Sequence, residues 1–170
     1  MHPLVVLAKE AVELYLTEGR KPSPAIIDEL GYDYRLPAPC FVTIRFKGKL
    51  RGCIGTISST QENIALEIIE NAIKSATRDP RFPPIQTNEI PYLTYSIDML
   101  GPLQEVSDIS RLNPLKYGVV VEKGLRRGVL LPDLESIDSV EQQLRLARLK
   151  AGIDEDDEIN IYFFEVQRLE

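Results

Sequence analysis

Residues 41–55 read FVTIRFKGKLRGCIG and residues 117–131 read YGVVVEKGLRRGVLL, so Lys47-Gly48 and Arg51-Gly52 return as Lys123-Gly124 and Arg127-Gly128. Each stretch alternates apolar and polar residues around a glycine-containing centre, which is the pattern of a β-hairpin. In the first copy, a two-residue turn at Gly48-Lys49 sets Phe46 opposite Arg51, Ile44 opposite Cys53 and Val42 opposite Gly55. That register puts Cys53 on the apolar face. In the second copy, a turn at Gly124-Leu125 sets Val120 opposite Val129 and Glu122 opposite Arg127. Cys53 in one copy therefore matches Val129 in the other.

Each hairpin is followed by a helix and a further strand. Ser59-Thr60-Gln61-Glu62 has the form of a capping box and predicts a helix from about Thr60 to Thr77, with Ile64, Ile68, Ala72 and Ile73 on one stripe. It ends at Arg78-Asp79-Pro80-Arg81-Phe82-Pro83-Pro84, because a residue before proline is pushed out of the helical region. Residues 92–99 then read as a strand. In the second copy Ser139 and Gln142 predict the N-terminus of a helix that Gly152 ends, and a strand follows from about Asn160 to Arg168. The expected fold is α+β, built from duplicated β-hairpin-α-β units with a largely antiparallel sheet covered by helices. We expect one domain over 1–170, with units at about 40–100 and 117–168. Residues 1–39 supply an amphipathic helix from Pro3 to about Thr17, stopped by Gly19. After it comes a proline-rich wrap with a short helix at 25–30 ended by Gly31.

The chain has 170 residues, 44% of them hydrophobic, enough for a sizeable core. Its net charge of -6 lacks the basic excess that phosphate binding needs, so neither nucleic acid nor an anionic membrane is expected as a partner. No apolar run approaches the roughly 20 residues of a membrane span, and the N-terminus has no signal-peptide pattern, so a cytoplasmic location is expected. A single histidine, His2, leaves none for a Ser-His-Asp triad or a Cys-His dyad. Cys40 and Cys53 are displaced by about 13 Å along the strand in this register, so two free thiols are expected. There is no GxGxxG, P-loop, CxxC or HExxH, and no residue pattern names a cofactor.

Four groups of residues could carry chemistry, each with a purely architectural reading beside it. Cys53 is the candidate nucleophile, or a small buried hydrophobe. Arg51, facing Phe46, either stacks on the ring, reaches an external anion, or clamps an internal one, with Asp79 the leading choice. Asp79 and Arg81, in a loop stiffened by three prolines, either contact a ligand or mark a helix stop. Gly55-Thr56 leads to a helix N-terminus that could receive an anion, unless Ser59 and Glu62 already satisfy its amides.

LRGCIGT at 50–56, RDPRFPP at 78–84, KGLRRGVLLPDL at 123–134 and KAGI at 150–153 together resemble the AMMECR-type domain family, and most closely its bacterial form, AmmeMemoRadiSam system protein A. The resemblance spans about 40–168. It departs from the common pattern at Thr77, where alanine or serine is more usual, and near Gly124, where many members have a histidine. It implies a duplicated α+β fold in a cytoplasmic protein, with no reaction assigned, in a pathway that includes a Memo-like, dioxygenase-type protein and a radical SAM enzyme. In some members a Memo-like part is fused ahead of this domain, which makes Met1-His2 a candidate boundary. The family signature falls on Arg51, Gly52, Cys53, Gly55, Asp79, Pro80, Arg81 and Phe82.

The leading expectation is a small-molecule-binding or catalytic cleft between the LRGCIG hairpin and the RDPRFPP loop. Arg51 and Arg81 would hold an anionic group, with Gly52, Gly55, Thr56 and Phe82 also contacting the ligand. As the catalytic candidates, Asp79 would act as a base or else orient Arg51, and Cys53 would be the nucleophile or else a wall. The competing expectation is a non-catalytic adaptor that docks a Memo-like or radical SAM partner.

Overall fold

The structure is a computed structural model that describes residues 1–23, 25 and 32–170. The short helix expected over 25–30, with its stop at Gly31, lies outside the described residues apart from Ala25. Two compact units are present, one of residues 1–100 with 167–170, the other of residues 101–166.

In the first unit, helix α1 (Pro3–Glu18) starts where expected. Pro3 occupies its first turn, and the His2 ring accepts the Leu4 amide at 3.2 Å. Gly19 ends it in the left-handed region at φ 68°. Strand β1 (Cys40–Phe46) pairs antiparallel with β2 (Lys49–Gly55) on one side and β3 (Leu93–Leu100) on the other. Leu4, Leu7, Ala8 and Ala11 of α1 and Ile64, Ile68 and Ala72 of helix α2 (Ile64–Thr77) form one buried cluster with Val42, Ile44 and Ile97 of the sheet.

The first hairpin departs from the expected register. Lys47 and Gly48 form its turn, with φ 50° and 81°, and Phe46 lies opposite Lys49. The pairing then slips between Ile44 and Arg45, so that Arg51 is left without a partner and Thr43, not Ile44, lies opposite Cys53. One residue of slip moves a side chain to the other face. Cys53 therefore points away from the apolar cluster, against the expectation from sequence. Gly52 takes the core-facing place opposite Ile44, where a Cβ would land on the Ser75 carbonyl of α2. The missing Cβ allows the helix backbone to come against the strand.

Helix α2 also begins later than expected. Asn63 caps it, accepting the Leu66 amide at 2.9 Å. The Thr60 and Gln61 amides are held instead by the buried carboxylate of Glu67, at 2.7 and 2.8 Å, so residues 60–61 stay outside the helix.

The second unit follows its expectation closely. Strand β5 (Tyr117–Lys123) pairs with β6 (Arg126–Leu130), placing Val120 opposite Val129 and Glu122 opposite Arg127, with Gly124 at φ 58°. Strand β7 (Asn160–Leu169) pairs antiparallel with β5 and with the short β4 (Gln104–Glu105). Helix α3 (Val140–Ala151) is capped by Ser139 and ended by Gly152 at φ 66°. A Cβ at Gly128 would meet the Ala147 carbonyl, repeating the interlock of Gly52 with Ser75. The duplicated α+β reading holds at the level of individual contacts. No helix among the described residues is long and apolar enough to cross a membrane.

Candidate functional site

The bulge that leaves Arg51 unpaired lets its side chain reach outward to the 78–92 segment. Its Nε lies 2.8 Å from Oε1 of Glu89 and its Nη2 3.0 Å from Oε2, while Nη1 donates to the Pro83 carbonyl at 2.8 Å and Nη2 also reaches the Pro84 carbonyl at 3.4 Å. The internal anion is therefore Glu89, not Asp79. Arg51, whose hydrogen bonds hold Glu89 below the usual carboxylate range against the opposing effect of burial, fastens the proline-rich loop to the hairpin. Glu89 escaped the sequence reading because nothing in its neighbourhood ties it to β2.

Asp79 is buried beneath the same loop and accepts four hydrogen bonds. Oδ1 takes the Arg81 amide and Nε, both at 3.0 Å, and Oδ2 takes the Cys53 amide at 2.9 Å and Arg81 Nη2 at 2.8 Å. The Arg81 guanidinium, opposed by burial and helped by the Cys53 amide, lowers its pKa to about 2. Arg81 Nη2 also reaches the Cys53 carbonyl at 3.5 Å, and its guanidinium lies 5.5 Å from the centre of the Phe82 ring. Asp79 and Arg81 thus take up the N–H and C=O of Cys53 much as a neighbouring strand would, closing the outer edge of β2. An ionised carboxylate with both oxygens filled is a poor base at neutral pH.

The remaining motif positions are similarly engaged. A Cβ at Gly55 would strike the Phe41 ring and the Cys40 carbonyl. The Thr56 amide donates to the Cys40 carbonyl at 3.0 Å and its hydroxyl to Glu67 at 2.6 Å. Burial raises the Glu67 pKa, but the hydrogen bonds from Thr56, Thr60 and Gln61 outweigh it and leave this carboxyl below its ordinary value. The amides that an external anion would have used are occupied by Glu67.

What the sequence reading missed is the face onto which Cys53 turns. Cys53, Thr43 and Ser96 lie side by side across β2, β1 and β3, and Asp98 lies one rung further along β3, opposite Phe41. Thr43 and Ser96 are 7% and 4% exposed and Asp98 only 2%. The Thr43 hydroxyl donates to the Cys53 sulfur at 3.3 Å, Arg45 Nη1 to the Ser96 hydroxyl at 3.2 Å, and Arg168 grips Asp98 with Nε at 2.7 Å and Nη2 at 3.2 Å. Burial pushes the Cys53 thiol above its ordinary pKa. Thr43 and Arg81 pull it down, and Asp98 and Asp79 push it up again. The site therefore holds a neutral thiol among hydroxyls. Both cysteines are free thiols, as expected, and Cys40 is buried on the opposite, apolar face, its pKa pushed up to about 12 by burial.

Two cavities lie elsewhere. One of about 610 Å³ is lined by Glu10, Glu13, Leu14, Thr17 and Ile90. The other, of about 580 Å³ in the second unit, includes Glu122, Lys123, Arg148 and Asp157 in its walls. Among the described residues no group of three or more His, Cys, Asp or Glu side chains is arranged to hold a metal ion.

The family model described as AMMECR1 matches residues 5–169. A Thermotoga maritima protein is 49% identical over 98% of this chain and 97% of its own length. A Clostridium acetobutylicum protein is 41% identical over 98% of this chain, which spans only 35% of that protein. A Methanothermobacter thermautotrophicus protein is 35% identical over 96% of this chain and 90% of its own. Relatives thus occur in archaea as well as bacteria. The crystal structure of an uncharacterized Pyrococcus horikoshii protein superposes with a TM-score of 0.87 at 29% identity, covering 97% of this chain and 88% of that one.

Proposed function

The chain belongs to the AMMECR1 family, and from that premise we propose that it is a small-molecule-binding domain whose site is the polar sheet face formed by Cys53, Thr43, Ser96 and Asp98, bordered by Arg81 of the RDPRFPP loop. One observation carries the reading: the two copies of the hairpin treat the same pair of positions in opposite ways. The second copy places Val120 against Val129, whereas the first buries a hydroxyl against a thiol beside a second hydroxyl and an ion pair. Buried polar groups cost free energy that an apolar pair would not, so their presence on one copy alone calls for a use beyond folding. Arg51, Gly52, Gly55, Thr56 and Asp79 then serve as the frame, and Cys53 lines the site as a neutral donor or wall.

Catalysis through a Cys53 thiolate has less support, because the burial of that thiol favours its protonated form. We retain the pathway with Memo-like and radical SAM proteins as part of this proposal, on the strength of the family. The net charge of -6 supports leaving nucleic acid and anionic membranes out of it. An adaptor that docks one of those proteins is the second reading, favoured by the internal saturation of Arg51 and Asp79.

The test is an NMR screen of the labelled protein against small carboxylates, phosphate monoesters, amines and neutral amides. Ligands of this site will shift the amides of Thr43, Cys53, Ser96 and Asp98 together. Shifts confined to the Glu10–Ile90 groove or the Lys123–Asp157 groove, or none at all, would sink the proposal in favour of the adaptor.

A further inference from the structure

Four arginines surround the polar face or its frame, and three of them have a carboxylate of their own. Arg51 holds Glu89, Arg81 holds Asp79 and Arg168 holds Asp98. Arg45 is the exception. It is half-buried on β1, on the same side as Thr43, and gives one hydrogen bond, to the neutral Ser96 hydroxyl; among the described residues no carboxylate pairs with it. A guanidinium has five donors in a planar fork suited to an oxyanion, and a partly desolvated cation without a counter-charge is an energetic cost.

We propose that Arg45 anchors the anionic group, a carboxylate or phosphate, of the ligand bound on this face. The inference rests on the polar face being the binding site and adds the charge and direction of what binds there. Arg45 is two residues from Thr43 on one strand, so its rung lies about 7 Å from the Thr43–Cys53 rung. Its cross-strand neighbour on β3 is Thr94, which is exposed, whereas Ser96 and Asp98 further along are buried. The Arg45–Thr94 rung is therefore the accessible end of the face. The negative charge of Asp98 at the buried end, although paired with Arg168, disfavours an anion there and favours one beside Arg45. The ligand class is a small acid or phosphate monoester whose anionic head stays at the Arg45–Thr94 rung while a hydrogen-bonding group reaches Ser96, Thr43 and Cys53.

The experiment follows the Arg45 Nε–H resonance and the Thr94 and Ser96 amides of the full chain. Sodium phosphate and sodium acetate are titrated separately at constant ionic strength, with sodium chloride as reference. Saturable shifts at Arg45, Thr94 and Ser96 are expected with phosphate, acetate or both, and the stronger of the two identifies the source of the anion. Arg45→Gln should weaken that binding at least tenfold, and Arg45→Lys should recover part of it. Shifts identical to those with chloride, or unchanged affinity in Arg45→Gln, would overturn the assignment; the wild-type titration decides even if the variant folds poorly. If amines or neutral amides still shift Thr43, Cys53 and Ser96 in that event, the polar face remains the site and only the role of Arg45 falls. If no probe of any charge shifts them, both fall.

Discussion

Arg51 and Glu89 form a two-pronged ion pair, Nε to Oε1 at 2.8 Å and Nη2 to Oε2 at 3.0 Å, across a gap of 38 residues. The pair is mostly buried and also carries the Pro83 carbonyl, so losing one partner strands the other charge and frees the loop. Arg51→Ala should cost about 2–4 kcal/mol in urea unfolding. Arg51→Lys should recover only part of that, since an ammonium cannot reproduce the fork. A loss under about 0.5 kcal/mol, the range of ordinary surface changes, would mean that Arg51 is not the clamp described.

Asp79 makes a separate contribution that is legible in acid. Its folded pKa of about 2 lies below the ordinary 3.8, so its ionised form favours folding at pH values above the latter. Protonation as the pH falls from 3.8 through 2 removes that contribution, which is on the order of 2 kcal/mol. Asp79→Asn should therefore lower stability at pH 6 and flatten its decline between about pH 5 and 2. Unfolding curves collected across that range will show it. A variant whose acid limb is as steep as that of the wild type would place the titrating group elsewhere, with Glu67 and Glu89, both also lowered, next in line.

Cys53 should react slowly. Burial raises its pKa and the neighbouring Asp98 and Asp79 add to that, so little thiolate exists at neutral pH. Iodoacetamide labelling followed by peptide mass spectrometry should give a Cys53 rate at pH 7.5 well below that of the unfolded chain and rising beyond pH 9. Cys40, fully buried with its pKa near 12, should remain protected until unfolding. Rapid labelling of Cys53 with an apparent pKa below about 8.5 would restore the nucleophile and move the protein towards an enzyme.

Local chemistry made the second hairpin readable. Gly124 supplies its positive φ, and Val120 opposite Val129 follows from simple counting. The first hairpin carries nearly the same residues, but its turn lies one place earlier and a bulge absorbs Arg51, and neither is visible in a pattern of period two. With the earlier turn, the slip is what brings Gly52 opposite Ile44 and against the Ser75 carbonyl, a contact 23 positions away in the chain. The same limit hid Glu67 and Glu89, whose partners lie across loops. The polar face was partly on view: Thr43 and Arg45 alternate with Val42 and Ile44, and Thr94, Ser96 and Asp98 alternate with Tyr95, Ile97 and Met99. What the sequence could not supply was the pairing of β1 with β3 that turns two polar stripes into one surface.

That surface can be tested by giving the first copy the residues of the second. In a Thr43→Val, Cys53→Val double variant, an apolar pair would face itself across β1 and β2 as Val120 and Val129 do across β5 and β6. If the hydroxyl and thiol are kept for a ligand, their removal should leave urea stability within about 1 kcal/mol of the wild type or raise it, because a partly satisfied polar pair is exchanged for well-packed methyl groups. Arg45, Ser96 and Asp98 remain in place, so binding should be weakened, not abolished. A loss of more than about 2 kcal/mol would show instead that the Thr43–Cys53 contact holds the hairpin together. The polar face would then be part of the framework, and the adaptor would become the better account of this protein.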